Sequence, residues 1–319
     1  MTQHPDTKPA GSSHQSRATS HDSAAYPSRP IRYVVPFGSG PTEVQARWIA
    51  ERLGAALGQR VVVENHPGEG GVAGTRMVAQ AAPDGYTLLA ANPGPLTVAP
   101  VVRGGTGYDP EKDFSPVALM VTVAGVVAAH PGVAAKSMTE LLALARANPG
   151  KLRYSSAGAG TVSHLALEWL NHLAGTRMTH VPRGGLEEAV PDLVAGRCDL
   201  LVMPLSEARP LAGKIRALAV TRKTRSTLWP QLPTVEEAGV AGFDSYNWNG
   251  VAAPARTARQ VIDKINNCIN TLLNSAEARD WFGAKGYEIA GGTPGAFGEF
   301  LRAESAKWRQ AAKLAGLKE

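Results

Sequence analysis

The stretch that decides the fold is YPSRPIRYVVPFGSGPTEVQAR, residues 26–47. It predicts a short strand over IRYVVPF, a loop rich in glycine, proline and serine, and a helix that opens at Thr42. The same order of extended run, glycine-rich turn and helix start returns in SSAGAGTVSHLA (155–166) and in HVPRGG (180–185). Strands that alternate with helices in this way indicate an α/β fold with parallel strands.

The three turns also suggest a chemical role. The first N–H groups of a helix lack partners within the helix, and that end carries a partial positive charge. Several such ends facing one cleft bind a small anion. Covalent chemistry requires none of the residues in these loops, so the pattern favours capture of a small anionic molecule over its conversion.

The rest of the chain predicts two α/β lobes with a ligand cleft between them. A first lobe is expected from residues 26–126 plus 246–319, and a second lobe, inserted into the first, from residues 127–245. The long apolar run 114–129 is interpreted as a pair of strands. Residues 1–25 are polar and are expected to form a disordered tail.

Composition narrows the class of protein. The chain has 319 residues, 44% hydrophobic and 19% charged, which predicts a buried core. Its 33 Lys and Arg residues are dispersed among 27 acidic ones, and a nucleic-acid-binding protein would cluster them. The two cysteines, Cys198 and Cys268, form no CxxC pair and are expected to be buried thiols, although a disulfide remains open.

Catalytic, metal and cofactor sites are not expected. The GEGGVA run at 68–73 lacks the acid that a dinucleotide site needs, because the next strand ends in Asn92. Ser163 and His164 are neighbours at a helix start and do not face each other as nucleophile and base. The other histidines show no metal-binding spacing.

Nine segments in register resemble the Bug receptors, the extracytoplasmic solute-binding proteins of tripartite tricarboxylate transporters. They are YPSRPIRYVVPF, GQRVVVENHPGEGG, PDGYTLL, YDPEKDFSPV, NPGKLRYSSAGAGTVSHL, HVPRGG, GRCDL, LPTVEEAG and WNGVAAPA. The resemblance implies a two-lobed periplasmic-binding-protein-like fold of type II that closes on a small carboxylate. It also implies a membrane permease as partner, a monomeric state and a periplasmic location.

The resemblance carries ligand contacts onto matching positions of this chain. These are Phe37, Gly38, Ser39, Gly40, Pro41, Thr42 and Glu43 in the first loop, Asn92, Pro93 and Gly94 after the third strand, Ser156, Ala157, Gly158, Gly160 and Thr161, and then Arg183, Gly184 and Gly185. Apart from the resemblance, Trp248 precedes the strand that returns to the first lobe and is predicted to line the cleft or hinge, with core packing as the alternative. In the family, these loops bind ligand carboxylates through backbone N–H groups, hydroxyls and bridging water. We predict no catalytic residue, no metal ligand and no cofactor.

Several positions depart from the family pattern. Glu43 replaces the familiar Asp, Ala159 replaces an Asn, and Arg183-Gly184 replaces a Tyr-Lys pair. Arg183 is predicted to clamp a carboxylate through two hydrogen bonds. Because residues 1–25 contain no apolar run of the kind a secretory signal has, a cytosolic carboxylate sensor of the same fold is the first alternative, and an α/β enzyme acting on carboxylates is the second.

Overall fold

The computed structural model of the protein describes residues 26–314, 316 and 317. The predicted polar tail at 1–25 lies outside the described residues. The chain begins with an alternation of strands and helices: β1 (Ile31–Val35), α1 (Pro41–Leu57), β2 (Val61–Asn65), α2 (Val72–Ala79), β3 (Thr87–Ala91) and α3 (Ala99–Val102). A single turn over Glu69–Gly71 precedes α2, and a wide helical turn over Gly94–Val98 precedes α3.

The middle and end of the chain continue the alternation. The middle contains β4 (Phe114–Ala129), α4 (Met138–Ala147), β5 (Arg153–Ser156), α5 (Val162–Ala174), β6 (Thr179–Pro182), α6 (Leu186–Val194), β7 (Leu200–Pro204), α7 (Leu205–Ala208) and β8 (Arg216–Val220). The end contains β9 (Tyr246–Pro254), α8 (Arg259–Leu273), α9 (Ala276–Ala284), β10 (Glu288–Ile289) and α10 (Pro294–Leu314). Among the described residues, no helix is long and apolar enough to cross a membrane.

The strands form one continuous sheet in the order β2-β1-β3-β9-β4-β7-β5-β6, with β8 and β10 also pairing with β4. The pairs β1·β2 and β1·β3 are parallel, as are β5·β6 and β5·β7. Each parallel set is what alternating strands and helices predict. Strands β4 and β9 run antiparallel to their neighbours and join the two sets through the middle of the sheet.

Strand β4 is a single strand, so the interpretation of residues 114–129 as a pair of strands is wrong. Its first part, Phe114 to Ala124, pairs with β9, and its last part, Gly125 to Ala129, pairs with β7 and β8. Register shifts beside Pro116 and after Leu119 absorb the proline and let the strand continue. One chain segment thus runs from the first half of the sheet, which contains β1, β2 and β3, to its second half, which contains β5, β6, β7 and β8.

Local signals set several helix ends. Ser137 Oγ accepts a hydrogen bond from Glu140 N at 3.2 Å, so it caps α4. Gly58 ends α1 with a positive φ of 69°, a conformation that glycine adopts without steric cost. Ser275 Oγ caps α9 in the same way by accepting from Ala278 N at 3.0 Å.

Helix α10 packs against both halves of the sheet. Near its start, Phe297 lies in a core cluster with Val34 and Leu89 of the first half. Further along, Trp308 lies in a cluster with Tyr154 and residues of the second half. Neither core is complete without this helix.

Gly125 marks the point on β4 where the pairing changes. Its N–H donates to Thr221 Oγ1 at 3.0 Å, and a Cβ at this position would lie 2.6 Å from that oxygen and 3.2 Å from Val202 Cγ1. We therefore expect Gly125→Ala to lower the free energy of unfolding by about 1–3 kcal/mol, measured by urea denaturation. Gly38→Ala is the control, because nothing lies within 4 Å of a Cβ there. Equal stability of the two variants would contradict the tight approach.

Both cysteines are free thiols. Cys198 is buried, as predicted, and Cys268 is partly buried. Burial raises the pKa of each thiol, which disfavours the thiolate. The structure thus shows no disulfide between them.

Candidate functional site

A cavity of about 280 Å³ lies between the two halves of the sheet. The first half contributes Phe37, Gly70, Asn92, Gly94, Ala99 and Arg103. The loop between β5 and α5 contributes Ala157, Ala159, Gly160, Thr161, Val162 and Ser163. The remaining wall comes from the second half and from the start of β9, and includes Gly125, Leu186, Val202, Met203, Thr221 and Tyr246.

The loop between β5 and α5 is held in shape by its own side chains. Thr161 Oγ1 donates to Gly158 O at 2.7 Å, Ala157 N donates to Ser163 Oγ at 3.1 Å, and Gly160 N donates to His164 Nδ1 at 3.0 Å. Gly160 has a φ of 72°, and a Cβ there would lie 2.9 Å from Val102 Cγ2 of the first half. Glycine is thus required both for the turn and for the close approach of the two halves.

Two histidines pack behind this loop. The rings of His164 and His180 stack with centroids 3.9 Å apart, and Tyr154 stacks on His180 at 4.9 Å. His180 Nε2 lies 2.7 Å from Ser156 Oγ, which also accepts from Gly158 N at 3.1 Å. Burial, followed by the neighbouring His180, lowers the pKa of His164 to about 4, and burial also lowers the pKa of His180. Both rings are therefore neutral at pH 7, which leaves His164 Nδ1 free to accept from Gly160.

Asparagines position the loops of the first half. Asn65 Nδ2 donates to Phe37 O at 3.0 Å and to Gly38 O at 3.2 Å. Asn92 Oδ1 accepts from Gly94 N at 3.3 Å, and its Nδ2 donates to Asn249 Oδ1 at 3.0 Å. These bonds direct Phe37, Asn92 and Gly94 towards the cavity.

The structure brings together part of the predicted site. The residues that line the cavity are Phe37, Asn92, Gly94, Ala157, Gly160 and Thr161. The residues placed outside its lining are Gly38, Ser39, Gly40, Pro41, Thr42, Glu43, Pro93, Ser156, Gly158, Arg183, Gly184, Gly185 and Trp248. Of the first loop only Phe37 lines the cavity, and Ser156 Oγ supports the β5–α5 loop by accepting from Gly158 N.

The position of Arg183 does not favour the predicted clamp. Its Nε donates to the Asp192 carboxylate, and its Nη1 donates to Pro182 O at 3.1 Å. Arg197 Nε donates to the same carboxylate at 2.6 Å, and the two arginines hold the pKa of Asp192 below its usual range. A carboxylate of the protein thus occupies the guanidinium that the sequence assigns to a ligand.

Two other predicted contacts are also engaged within the protein. Glu43 accepts from Arg47 Nε at 2.8 Å, one helical turn away. Trp248 is fully buried and packs edge-on against Phe297 and Phe300, with centroids 5.7 and 5.5 Å away. The structure therefore places Trp248 in the core, which is the common position for an aromatic residue in a central strand.

Arg103 and the apolar lining residues of the second half are not among the site residues predicted from the sequence. Arg103 follows a helix of only four residues and precedes Gly104, so no periodicity marks it as part of a site. Leu186, Val202 and Met203 belong to ordinary apolar runs, in which cavity residues and core residues look alike.

The model of the tripartite tricarboxylate transporter family receptor matches residues 45–317 of the chain. The chain belongs to this receptor family. It is similar to protein BugT of Bordetella pertussis, with 34% identity over 297 residues that cover 92% of this chain and 91% of BugT. The predicted family is therefore confirmed.

Solved structures of receptors agree with this assignment. Rpa4515 of R. palustris, solved with adipate, has a TM-score of 0.80 and 35% identity, covering 92% of this chain and 99% of its own. MatC of Rhodopseudomonas palustris, solved with bound malate, has a TM-score of 0.77 and 30% identity, covering 90% and 99%. The family receptor is a two-lobed periplasmic-binding-protein-like α/β protein, and this chain is a solute-binding receptor with that fold.

Proposed function

We propose that this receptor captures a small organic carboxylate in the cavity between its lobes and presents it to the permease of a tripartite transporter. One observation carries the proposal: the cavity brings the N-terminus of α5, with Thr161, opposite Phe37, Asn92 and Gly94. The first N–H groups of α5 have no partner within the helix and are suited to a carboxylate. The adipate and malate held by the two solved relatives support this class of ligand.

The proposed lobes are residues 26–126 plus 246–319 and residues 127–245. Each lobe offers a different set of donors, so a ligand that contacts both stabilises the closed arrangement over the open one. The proposed receptor is a monomer, acts in the periplasm and releases its ligand unchanged. No catalytic step is needed for this function.

The class of ligand can be tested by thermal shift with mono-, di- and tricarboxylates, acidic and cationic amino acids, and neutral sugars. A ligand at a hundredfold excess over its dissociation constant adds about 2.7 kcal/mol of stability, so a true ligand raises the melting temperature by several degrees. A carboxylate that does so supports the proposal. A shift with neutral sugars or cationic amino acids, and none with acids, would overturn it.

Thr161 supplies the most direct mutational test. Its hydroxyl hydrogen, donated to Gly158 O in this structure, can rotate towards a bound carboxylate. We expect Thr161→Val to weaken affinity for the best acid about fivefold to tenfold by calorimetry, the contribution of a typical hydrogen bond. Ser39→Ala removes a hydroxyl outside the cavity and serves as the control. Equal affinities for wild type and Thr161→Val would remove this residue from the site.

A further inference from the structure

Six Ser, Thr and Asn residues line the cavity, and they differ in whether their side chains are already engaged. Four of them form side-chain hydrogen bonds within the protein: Asn92, Thr161, Ser163 and Thr221. The other two are Ser245, directly before β9, and Asn247, the second residue of β9. Within the part of the chain that the structure describes, neither of these two side chains forms a hydrogen bond.

The alternation of side chains along β9 directs Ser245 and Asn247 towards the cavity. Successive side chains of a strand point to opposite faces of the sheet. Trp248 points to the face covered by α10, where it packs against aromatic rings of that helix. Asn249 points to the other face, where its Oδ1 accepts from Nδ2 of the cavity residue Asn92 at 3.0 Å. Ser245 and Asn247 share the face of Asn249.

Both polar groups lose water when a ligand fills the cavity. Only 2% of Ser245 is exposed, yet its hydroxyl is not fully enclosed, so its accessible side faces the cavity that it lines. Asn247 is half-buried in the same lining. A polar group that is buried without a partner costs free energy, so a well-matched ligand offers these two residues a polar group of its own.

The backbone holds both residues in place. Ser245 N donates to Thr221 O at 2.8 Å, and Thr221 Oγ1 donates back to Ser245 O. Asn247 is paired with Val123 of β4, the strand that runs through both halves of the sheet. Side chains carried by paired strands are positioned more precisely than side chains on loops. A ligand group bound here is therefore held at a fixed point, which favours one enantiomer over the other.

A hydroxyl group matches this pair of residues best. The serine hydroxyl and the asparagine amide each donate and accept hydrogen bonds, and a ligand hydroxyl does the same. Another part of the lining, formed by Leu186, Val202 and Met203, has no hydrogen-bonding side chain apart from the weak thioether sulfur. A binding site built to hydrogen-bond a hydroxyl rejects the analogue that lacks it, because the polar groups of the protein are then left unpaired.

We propose that Ser245 and Asn247 determine specificity by hydrogen-bonding a hydroxyl group on the carbon chain of the ligand, so that the receptor prefers a hydroxy acid to the plain acid of the same length. This inference rests on the proposed function and specifies which acids the receptor selects. Neither residue is among the site residues predicted from the sequence, where both belong to the approach to an ordinary strand.

The test is calorimetry with three chain-matched pairs: succinate and malate, glutarate and 2-hydroxyglutarate, adipate and 2-hydroxyadipate. Each enantiomer of a hydroxy acid is measured separately. We expect wild type to bind one enantiomer of at least one hydroxy acid about tenfold or more tightly than its plain partner, the combined contribution of two hydrogen bonds.

Ser245→Ala and Asn247→Leu remove the hydrogen-bonding groups while keeping the side chains of similar size. Each should reduce the preference for the hydroxy acid about threefold or more, and the double variant should abolish it. The plain acid makes no use of these groups, so its affinity should stay within about twofold of wild type. General damage to the cavity would instead weaken both members of a pair alike.

The control is Asn267→Leu, which makes the same change at an exposed asparagine of α8 outside the cavity lining and should keep the wild-type preference. All variants should melt like wild type without ligand, and Asn247→Ala replaces Asn247→Leu if the larger side chain lowers the melting temperature. Equal affinities of wild type for both members of every pair that it binds would overturn the inference. A wild-type preference in the double variant, or equal losses for both members of a pair, would overturn it as well. Wild type that binds no carboxylate at all would reject the proposed function itself.

Discussion

Replacing Trp308 with alanine should lower the free energy of unfolding by about 3–5 kcal/mol, the cost of truncating a large buried aromatic residue. Only 1% of this residue is exposed, and its Nε1 donates to Glu304 Oε2 at 3.1 Å. Truncation therefore leaves both a cavity in the core of the second half and a buried carboxylate oxygen without its donor. Urea denaturation followed by circular dichroism gives the difference directly.

Trp308→Phe is the matched variant for this prediction. It keeps a six-membered aromatic ring in the core and loses the five-membered ring with its N–H, so its loss should be smaller than that of alanine. A loss of less than about 1 kcal/mol in Trp308→Ala would show that α10 adds little to the core around it.

Stability should also fall in acid because of His164. Its pKa is lowered from 6.5 to about 4 in the folded protein, chiefly by burial and then by His180. The neutral ring is the form that accepts from Gly160 N, so the unfolded chain binds a proton more readily. The associated stability is complete above about pH 6.5 and is lost as pH falls towards 4, amounting to about 3 kcal/mol.

The measurement is the free energy of unfolding at about pH 7.5 and about pH 5 in wild type and His164→Asn. Asparagine can still accept from Gly160 N but does not titrate, so its stability should depend less on pH. His172→Asn changes an exposed histidine on the same helix and should keep the wild-type dependence. If His164→Asn loses as much stability in acid as wild type, the source lies in another group, such as His180, whose pKa is also lowered by burial.

Much of the fold could be predicted because its signals are local. Strand β2 and helix α5 carry such signals, a run of three valines in β2 and apolar periodicity with a terminal glycine in α5. The single strand β4 could not be predicted from the chain alone. Pro116 and Gly125 resemble strand breaks, and the bulges and partners that accommodate them come from β7, β8 and β9.

The lining of the candidate cavity could be predicted where its residues belong to a glycine-rich turn. It could not be predicted where it depends on which distant residues the folded chain brings together. Gly160 and Thr161 belong to a glycine-rich turn before a helix, a pattern visible in sequence. Arg103 and Arg183 look equally available in sequence. What separates them is that Asp192 on α6 pairs with Arg183, while no acid of the described chain pairs with Arg103.

The position of α10 has a consequence for how the chain folds. Its residues Phe297 and Trp308 complete clusters whose other members were synthesised far earlier, such as Val34 and Tyr154. Until α10 has docked, a folding chain keeps apolar surface of both halves open to water. Contacts between such distant segments also slow folding, because the long intervening loops must close first. The interval before α10 docks is therefore the period in which this receptor is most exposed to aggregation and to proteases.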